Sequence, residues 1–162
     1  MGKLHGLYIF TGNLDSASST SELMSSLGYL ALMEINLAGC FELGVQNIYA
    51  RLAQKATVNN SSMEVVLGKF NKDGISYVEV AKTRNATYFQ MDDWEEVAAI
   101  IGEDNMWCIN EKFLEQQLNQ GKTFILSHNP ANADGYFFRE IEFLKEKGFS
   151  FVKIGDVWKA IK

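Results

Sequence analysis

Hydrophobic and polar residues follow two different patterns along the chain, and the pattern changes at residues 57–62. Before this stretch, apolar side chains recur at roughly helical spacing from Leu23 to Leu37 and again over 41–55. After it, short runs of β-branched and aromatic residues alternate with amphipathic segments. The polar run TVNNSS therefore predicts a boundary between a helical segment, residues 1–62, and an α/β domain, residues 63–162.

The second pattern predicts a small sheet. The expected strands are 64–67, 86–91, 123–127 and 149–154, and the expected helices are 77–84, one starting near Trp94, 104–118 and 136–147. Strands that alternate with helices are typical of parallel sheets. The predicted fold class is α/β: a helical amino-terminal segment followed by a small Rossmann-like, mainly four-stranded parallel sheet.

Composition and charge narrow the class of function. The content of 47% hydrophobic and 22% charged residues is that of a soluble globular protein. A formal net charge of -5 argues against broad binding to nucleic-acid backbones, although it leaves room for a nuclease with a local basic groove. We expect no signal peptide, because residues 1–10 contain one Lys and no long apolar core. We expect no membrane span, because no stretch reaches the ~18 to 20 uninterrupted apolar residues that a spanning helix needs.

Cysteine and histidine are scarce in this sequence. Cys40 and Cys108 are too few for a disulfide framework. We expect both to be buried free thiols, with a single bridge between them as the alternative. His5 and His128 are the only histidines, and no spacing typical of a zinc site occurs. The sequence therefore predicts no metal site.

The stretch that predicts a ligand site is the strand TFILS with the helix after it. The strand ends at His128-Asn129-Pro130, and the helix begins through Tyr136, Phe137 and Phe138, with Glu140 and Glu142 behind them. Ligands of open α/β sheets bind at the carboxyl ends of the strands. The two glutamates are two residues apart and point to different faces of the helix, so one is expected to be solvated and the other to face the site.

Other candidate residues have two interpretations each. Asp92 and Asp93 are either a helix cap with a first-turn acid or carboxylates that contact a ligand. Trp107 is either a core aromatic or a wall on which a flat ring stacks, with Asn110 bordering the same pocket. His128 either holds a turn or acts as the general base of a nuclease. The pair Gly68-Lys69 is a polar turn, because the spacing of a phosphate loop is absent.

Taken in order, these pieces resemble the ADP-ribosyl cyclase / NAD glycohydrolase family over about residues 64–155. The matching segments are YFQMDDW, Trp107 with Phe113, and residues 124–130 followed by FFREIE. The chain departs from the family in having Asp-Asp for the acidic motif and Leu67 near the position of a second active-site Trp.

The resemblance implies a role for each matched residue. FFREIE places Glu142 on the catalytic glutamate that anchors ribose, with Glu140 as the second choice. In that family aromatic residues, here Trp107 and Phe137, hold nicotinamide, and the acidic pair, here Asp92 and Asp93, contacts it. Asn110 and His128 are further candidate substrate-binding residues, from their positions near Trp107 and at the end of the strand TFILS. The implied substrate is NAD⁺, or NADP⁺, with no cofactor and no metal, and the reaction is either hydrolysis or cyclisation.

The layout also resembles the carboxyl-terminal toxin domains of bacterial contact-dependent and other polymorphic toxins, in which an α/β domain follows an Asn-containing junction, here TVNN. This resemblance implies a domain that is delivered from the producing cell as part of a larger toxin. Such a domain depletes NAD⁺ in the cytoplasm of the target cell and has a cognate immunity protein as partner. Two alternatives stay open: a metal-independent RNase or tRNase that uses His128, and a non-enzymatic binding or immunity protein.

Overall fold

The structure is a computed structural model that describes residues 43–72 and 74–162. The helical prediction for residues 16–42 lies outside these ranges. The chain divides into two compact units, of which the first includes residues 43–56 and 91–113 and the second comprises residues 57–90 and 114–162. The predicted division into 1–62 and 63–162 stays a prediction.

Within the described ranges the chain forms five helices and six strands. The helices are α1 (Leu43–Lys55), α2 (Tyr77–Arg84), α3 (Trp94–Ile101), α4 (Glu103–Asn119) and α5 (Gly135–Glu146), with a 3-10 turn at Pro130–Asn132. The strands are β1 (Thr57–Val58), β2 (Glu64–Leu67), β3 (Tyr88–Phe89), β4 (Thr123–Leu126), β5 (Ser150–Ile154) and β6 (Val157–Ile161). The predicted helices over these residues are confirmed to within about two residues. None of the helices described has the length and apolar character to cross a bilayer.

The second unit contains a mixed four-stranded sheet in the order β2-β4-β6-β5. β2 and β4 are parallel, whereas β6 is antiparallel to both β4 and β5. A single parallel bridge between Val65 and Thr87 joins the segment before β3 to the other side of β2, and β3 pairs with β1 in a separate antiparallel ribbon. The α/β class is thus confirmed, but the mainly parallel arrangement is not.

The strand that the sequence prediction missed is β6. It follows β5 through the two-residue turn Gly155-Asp156, which brings Ile154 opposite Val157. Gly155 has a φ of 61°, a conformation that such tight hairpin turns require and that glycine adopts without strain. A Gly-Asp pair between two apolar runs is the local signal for this hairpin, and it makes the sheet mixed.

β2 and β4 are the most deeply buried strands of the sheet, and each consists of one polar residue followed by three apolar ones. The three carboxyl-terminal residues of each strand are buried: Val65, Val66, Leu67, Phe124, Ile125 and Leu126. Such continuous apolar runs are typical of strands that are covered on both faces. In α5, Phe137, Ile141 and Leu144 recur at helical spacing and are also buried, so this helix has one apolar face.

Lys122 connects the polar stretch 57–62 to the amino-terminal edge of β4. Its Nζ donates to the main-chain oxygen of Asn60 at 2.6 Å, to Asn60 Oδ1 at 3.0 Å and to Thr87 Oγ1 at 3.2 Å. The Thr87 hydroxyl in turn donates to the main-chain oxygen of Asn59 at 2.8 Å. Burial lowers the pKa of Lys122. The ammonium is therefore a structural donor that holds the TVNNSS stretch in place.

We expect Lys122→Met to lower the free energy of unfolding by about 2 kcal/mol, because it removes hydrogen bonds from a charged donor and leaves their acceptors under-solvated. Urea unfolding of the variant and the parent measures this difference. Lys82→Met is the matched control, since Lys82 is exposed on α2 and its loss should change stability by less than about 0.5 kcal/mol. Equal losses for the two variants would show that the Lys122 contacts do not stabilise the fold.

Cys108 is disulfide-bonded, so the prediction of a free thiol is wrong for this residue. The sequence contains one other cysteine, Cys40, which lies outside the described residues. Disulfide pairing requires Cα atoms within about 7 Å, a spatial condition that spacing along the sequence does not reveal.

Candidate functional site

The candidate site lies where β2 and β4 end side by side. The register pairs Leu67, the last residue of β2, with Leu126, the last residue of β4. From β2 the chain continues through α2 to β3 on one side of β2, and from β4 it continues through α5 to β5 on the other side. Connections that leave two neighbouring parallel strands in opposite directions form a topological switch point, where open α/β sheets bind ligands. We call this edge the switch-point site and define it by Gly68, Lys69, Tyr77, His128 and Glu140.

Gly68 allows the residues that directly follow β2 and β4 to approach each other closely. A Cβ atom at this position would lie 1.9 Å from Ser127 Oγ, 2.9 Å from His128 Nδ1 and 3.1 Å from the Cβ of Tyr77. Contacts below 3.0 Å are not tolerated, so any other residue would force Ser127 or His128 to move. The glycine is therefore required by the close approach of the residues that follow β4.

The hydrogen bonds of the His128 ring define its tautomer. Nε2 lies 3.0 Å from the main-chain oxygen of Ile75, which can only accept, so Nε2 carries the proton and donates it. Nδ1 is then the acceptor, and it receives the main-chain N–H of Lys69 at 3.2 Å. The ring thus contacts both ends of the loop 69–75 that follows β2.

Two further polar side chains surround the His128 ring. Ser127 Oγ lies 2.7 Å from Nδ1 and 3.2 Å from the main-chain oxygen of Leu67, and its single proton serves one of these acceptors. Asn71 Nδ2 donates to the oxygen of Ile75 at 2.9 Å. Its separation of 3.4 Å from His128 Nε2 joins two donors and is not a hydrogen bond.

The environment of His128 favours the neutral ring. Burial lowers the pKa of His128, and the positive charge of Lys69 lowers it further, while the hydrogen bond to Ile75 and the charge of Asp134 act in the opposite direction. The net shift is downward. A neutral ring whose Nε2 is protonated and whose Nδ1 already accepts hydrogen bonds has no free nitrogen for a substrate proton. This geometry supports the turn-holding interpretation of His128 over that of a general base.

Lys69 brings positive charge to the site. Its Nζ lies 2.9 Å from Oδ2 of Asp134, and the two side chains are 25% and 76% exposed. Asp134 occupies the position before α5 but makes no side-chain capping bond to that helix. The Lys69 ammonium therefore lies beside the amino terminus of α5, and both features favour an anion.

Tyr77 links α2 to the same edge. Its main-chain N–H donates to the oxygen of Lys69 at 3.1 Å, and its phenol donates to the main-chain oxygen of Phe89. Burial, followed by the nearby charge of Glu140 and then Tyr88, raises the pKa of Tyr77, so the phenol stays protonated.

The two candidate glutamates of α5 lie in different environments. Glu140 is 7% exposed and follows the buried Phe137 by about one helical turn. Glu142 is 44% exposed, and its Oε1 lies 2.9 Å from Nζ of Lys145. The expectation that one of the pair is solvated and the other faces inward agrees with these exposures, and the inward residue is Glu140.

The other predicted site residues fall into two groups. His128, Phe137, Glu140 and Glu142 belong to the second unit, and Asp92, Asp93, Trp107 and Asn110 belong to the first. Asp93 occupies the cap position of α3 without a side-chain capping bond, and Trp107 and Asn110 are 9% and 4% exposed on α4. The proposed contacts of these four residues with substrate stay predictions.

Sequence reasoning missed Gly68, Lys69, Tyr77 and Ser127 as members of the site. The pair Gly68-Lys69 lacks the spacing of a phosphate loop, so its own motif predicts only a polar turn. A usable signal is the glycine directly after one buried strand together with Ser127-His128 directly after the next one. It becomes informative only once the two strands are known to be neighbours.

Comparison with known proteins assigns no relatives: no family model, no curated protein and no solved structure matches the chain. Among the described residues, no group of three or more His, Cys, Asp or Glu side chains is placed to hold a metal ion. Function is therefore argued from the chemistry of the switch-point site.

Proposed function

We propose that this protein is an NAD⁺ glycohydrolase that breaks the bond between nicotinamide and ribose at the switch-point site. The observation that carries the proposal is the buried Glu140 carboxylate, whose charge acts on Tyr77. Tyr77 donates its main-chain N–H to the oxygen of Lys69, which follows Gly68 directly after β2. Dinucleotides bind at such edges, with phosphates near the first βα turn or a helix amino terminus. The Rossmann-like interpretation of β2, β4 and the short β3 is part of this proposal.

Glu140 takes the central chemical role. Departure of nicotinamide leaves positive charge on the ribose ring, and a carboxylate held in a water-poor site stabilises that charge. The family resemblance assigns this role to Glu142 through FFREIE, but Glu142 is 44% exposed, whereas Glu140 is 7% exposed. The burial of Glu140 and its electrostatic effect on Tyr77 support Glu140 as the carboxylate that stabilises the ribose cation.

Lys69 is assigned to the pyrophosphate. Lys69 brings a positive charge to this edge, and the carboxylate that it now contacts, Asp134, is 76% exposed and can move away when a phosphate arrives. The amino terminus of α5 adds its partial positive charge at the same place. This arrangement neutralises the anionic part of the substrate, and the ribose is assigned to Glu140.

The toxin context forms part of the proposal. A domain that follows a TVNN junction in a larger exported protein would deplete NAD⁺ in the cytoplasm of a target cell, and the producing cell would need a cognate immunity protein. The resemblance of the junction and the layout to polymorphic toxins supports this part. Chromatography distinguishes hydrolysis, which gives ADP-ribose, from cyclisation, which gives cyclic ADP-ribose.

The substrate class is tested by incubating the purified protein separately with NAD⁺, with NADP⁺ and with total tRNA, each with and without EDTA. We expect release of nicotinamide, no effect of the chelator and intact tRNA. Degraded tRNA with untouched dinucleotides would replace this proposal with the nuclease alternative. If neither substrate is consumed, the binding or immunity alternative takes its place.

The assignment of Lys69 predicts a change in KM. Lys69→Met should raise the KM for NAD⁺ by about 10-fold with little change in kcat, because a charge-assisted contact to phosphate stabilises ground state and transition state equally. Asp134→Asn is the matched control and should lower KM, since it removes the carboxylate that competes for Lys69. Steady-state kinetics at low and high salt checks both, and an unchanged KM in both variants contradicts the assignment.

A further inference from the structure

We infer that His128 is a positioning residue that acts as a clasp: its neutral ring, protonated at Nε2, holds both ends of the loop 69–75 and thereby sets the position of Lys69. The hydrogen bonds of the ring carry this inference without reference to any substrate. Its consequence for catalysis rests on the proposed function. The tautomer and the exchange of the Lys69 amide test the hydrogen-bonding role of His128, and kinetics with NAD⁺ test its effect on catalysis.

The ring is suited to this task because its donor and acceptor lie on opposite sides. Nδ1 accepts from the first residue of the loop, Lys69, and Nε2 donates to the last, Ile75. Asn71, inside the loop, donates to the same oxygen of Ile75, and Tyr77 donates its N–H to the oxygen of Lys69. The two ends of the loop, Lys69 and Ile75, are thus held by one imidazole that directly follows Ser127 after β4.

The position of Ser127 supports a clasp and not a nucleophile–base pair. Its side chain is buried at 8% exposure, and its Oγ occupies the space where a Cβ on Gly68 would lie. The hydroxyl therefore faces the main chain of Gly68. The Ser127 Oγ lies 2.7 Å from His128 Nδ1 and 3.2 Å from the Leu67 oxygen, so the hydroxyl fills the space between the ring and the end of β2 and donates to one of the two.

The clasp is sensitive to pH because only a neutral ring can accept at Nδ1. Protonation would direct an N–H of the ring at the N–H of Lys69 and add a positive charge near the Lys69 ammonium, with Asp134 as the opposing charge. The pKa of His128 is lowered from 6.5 in the folded protein. The stability that depends on neutral His128 is therefore present above pH 6.5 and is lost as pH falls through 6.5 towards the lower folded-state pKa.

The tautomer can be measured directly because the sequence has only two histidines. In a His5→Gln background, long-range ¹H–¹⁵N NMR spectra contain the imidazole of His128 alone. We expect the neutral tautomer with the proton on Nε2 at pH 7.5, and a titration midpoint below that of the urea-unfolded chain. A proton on Nδ1, or a midpoint at or above the unfolded value, would overturn the inference.

Three substitutions divide the two functions of the ring. His128→Asn keeps an acceptor near the position of Nδ1, His128→Gln keeps a donor near that of Nε2, and His128→Ala keeps neither. We expect hydrogen exchange of the Lys69 amide to accelerate by about 10-fold in the Ala and Gln variants and to stay near the parent rate in the Asn variant.

An internal control separates opening of the loop from unfolding. The Val66 amide, which donates to the oxygen of Thr87 inside the sheet, should exchange at the parent rate in all three variants. Faster exchange at both amides would indicate global destabilisation. In that case the ratio of the Lys69 exchange rate to the Val66 exchange rate decides whether the loop opens separately. An unchanged ratio in His128→Ala contradicts the clasp.

The effect of the clasp on catalysis is measured as the KM and kcat for NAD⁺ in the His128 variants. His128→Ala should raise KM more than it lowers kcat, because it displaces Lys69, and His128→Asn should restore most of the KM. Loss of kcat with an unchanged KM and a protected Lys69 amide would identify a general base and overturn the positioning role. If NAD⁺ is not cleaved at all, the proposed function fails while the tautomer and exchange measurements still decide the clasp.

Discussion

Glu140→Gln is expected to lower the turnover of NAD⁺ by at least ~100-fold, the scale of removing one group that stabilises charge in the transition state. The substitution keeps the shape of the side chain and most of its hydrogen-bonding capacity, but it removes the negative charge. That charge faces the interior, where Glu140 is 7% exposed, and low polarity there strengthens its effect on a developing cation.

Glu142→Gln is the matched control because it makes the same chemical change two residues away on the same helix. Glu142 is half-exposed and paired with Lys145, so its loss should leave turnover within about 2-fold of the parent and stability within about 1 kcal/mol. Kinetics and thermal melting of both variants decide the question. A large loss with Glu142→Gln alone would support the family resemblance and remove Glu140 from the reaction.

Gly68→Ala is expected to lower the free energy of unfolding by about 2 to 3 kcal/mol, the range for forcing extra atoms into a packed site. The added Cβ would lie 1.9 Å from Ser127 Oγ, a hydroxyl that hydrogen bonds hold in place. We therefore expect loss of NAD⁺ turnover in the same variant, since the segment after β2, with Lys69, must move away from the segment after β4, with His128.

A double-mutant cycle tests the cause of this loss. Removing the clashing hydroxyl by Ser127→Ala in the Gly68→Ala background should recover about half of the lost stability, a non-additive result that is expected for residues in contact. Gly74→Ala is the control in the same loop, because a Cβ at Gly74 meets only the Cβ of Asn71 at 4.0 Å. Additive effects of the two substitutions, or an equal loss at Gly74, would show that close packing is not the reason for glycine at position 68.

The sequence predicted those elements whose signal is local. The apolar runs of β2 and β4 and the periodic apolar face of α5 set strand and helix positions through burial alone. The partner of each strand is a non-local property, and for that reason β6 and its antiparallel pairing went unpredicted although the Gly155-Asp156 turn was visible. The role of Lys122 in holding the TVNNSS stretch was hidden in the same way, since its acceptors are 62 and 35 residues away.

The site was predictable in part. His128 stands out because it follows a buried strand, and Glu140 and Glu142 stand out because they lie on the helix after that strand. Spacing alone showed that the two glutamates face different ways, but only packing of α5 identifies Glu140 as the inward one. Gly68 and Lys69 could not be recognised from their own motif, because their significance depends on the neighbour that β2 acquires in the sheet.

The most direct test of the account is an NMR titration of ¹⁵N-labelled Glu140→Gln protein with NAD⁺, in which slow turnover keeps the substrate intact. We expect saturable shifts of the amides of Gly68, Lys69 and Gly135, which surround the end of β2 and the start of α5. Lys69→Met in the same background should weaken the titration. Binding that shifts none of these amides, or no binding at millimolar NAD⁺, would contradict the proposal that this protein acts on NAD⁺ at the switch-point site.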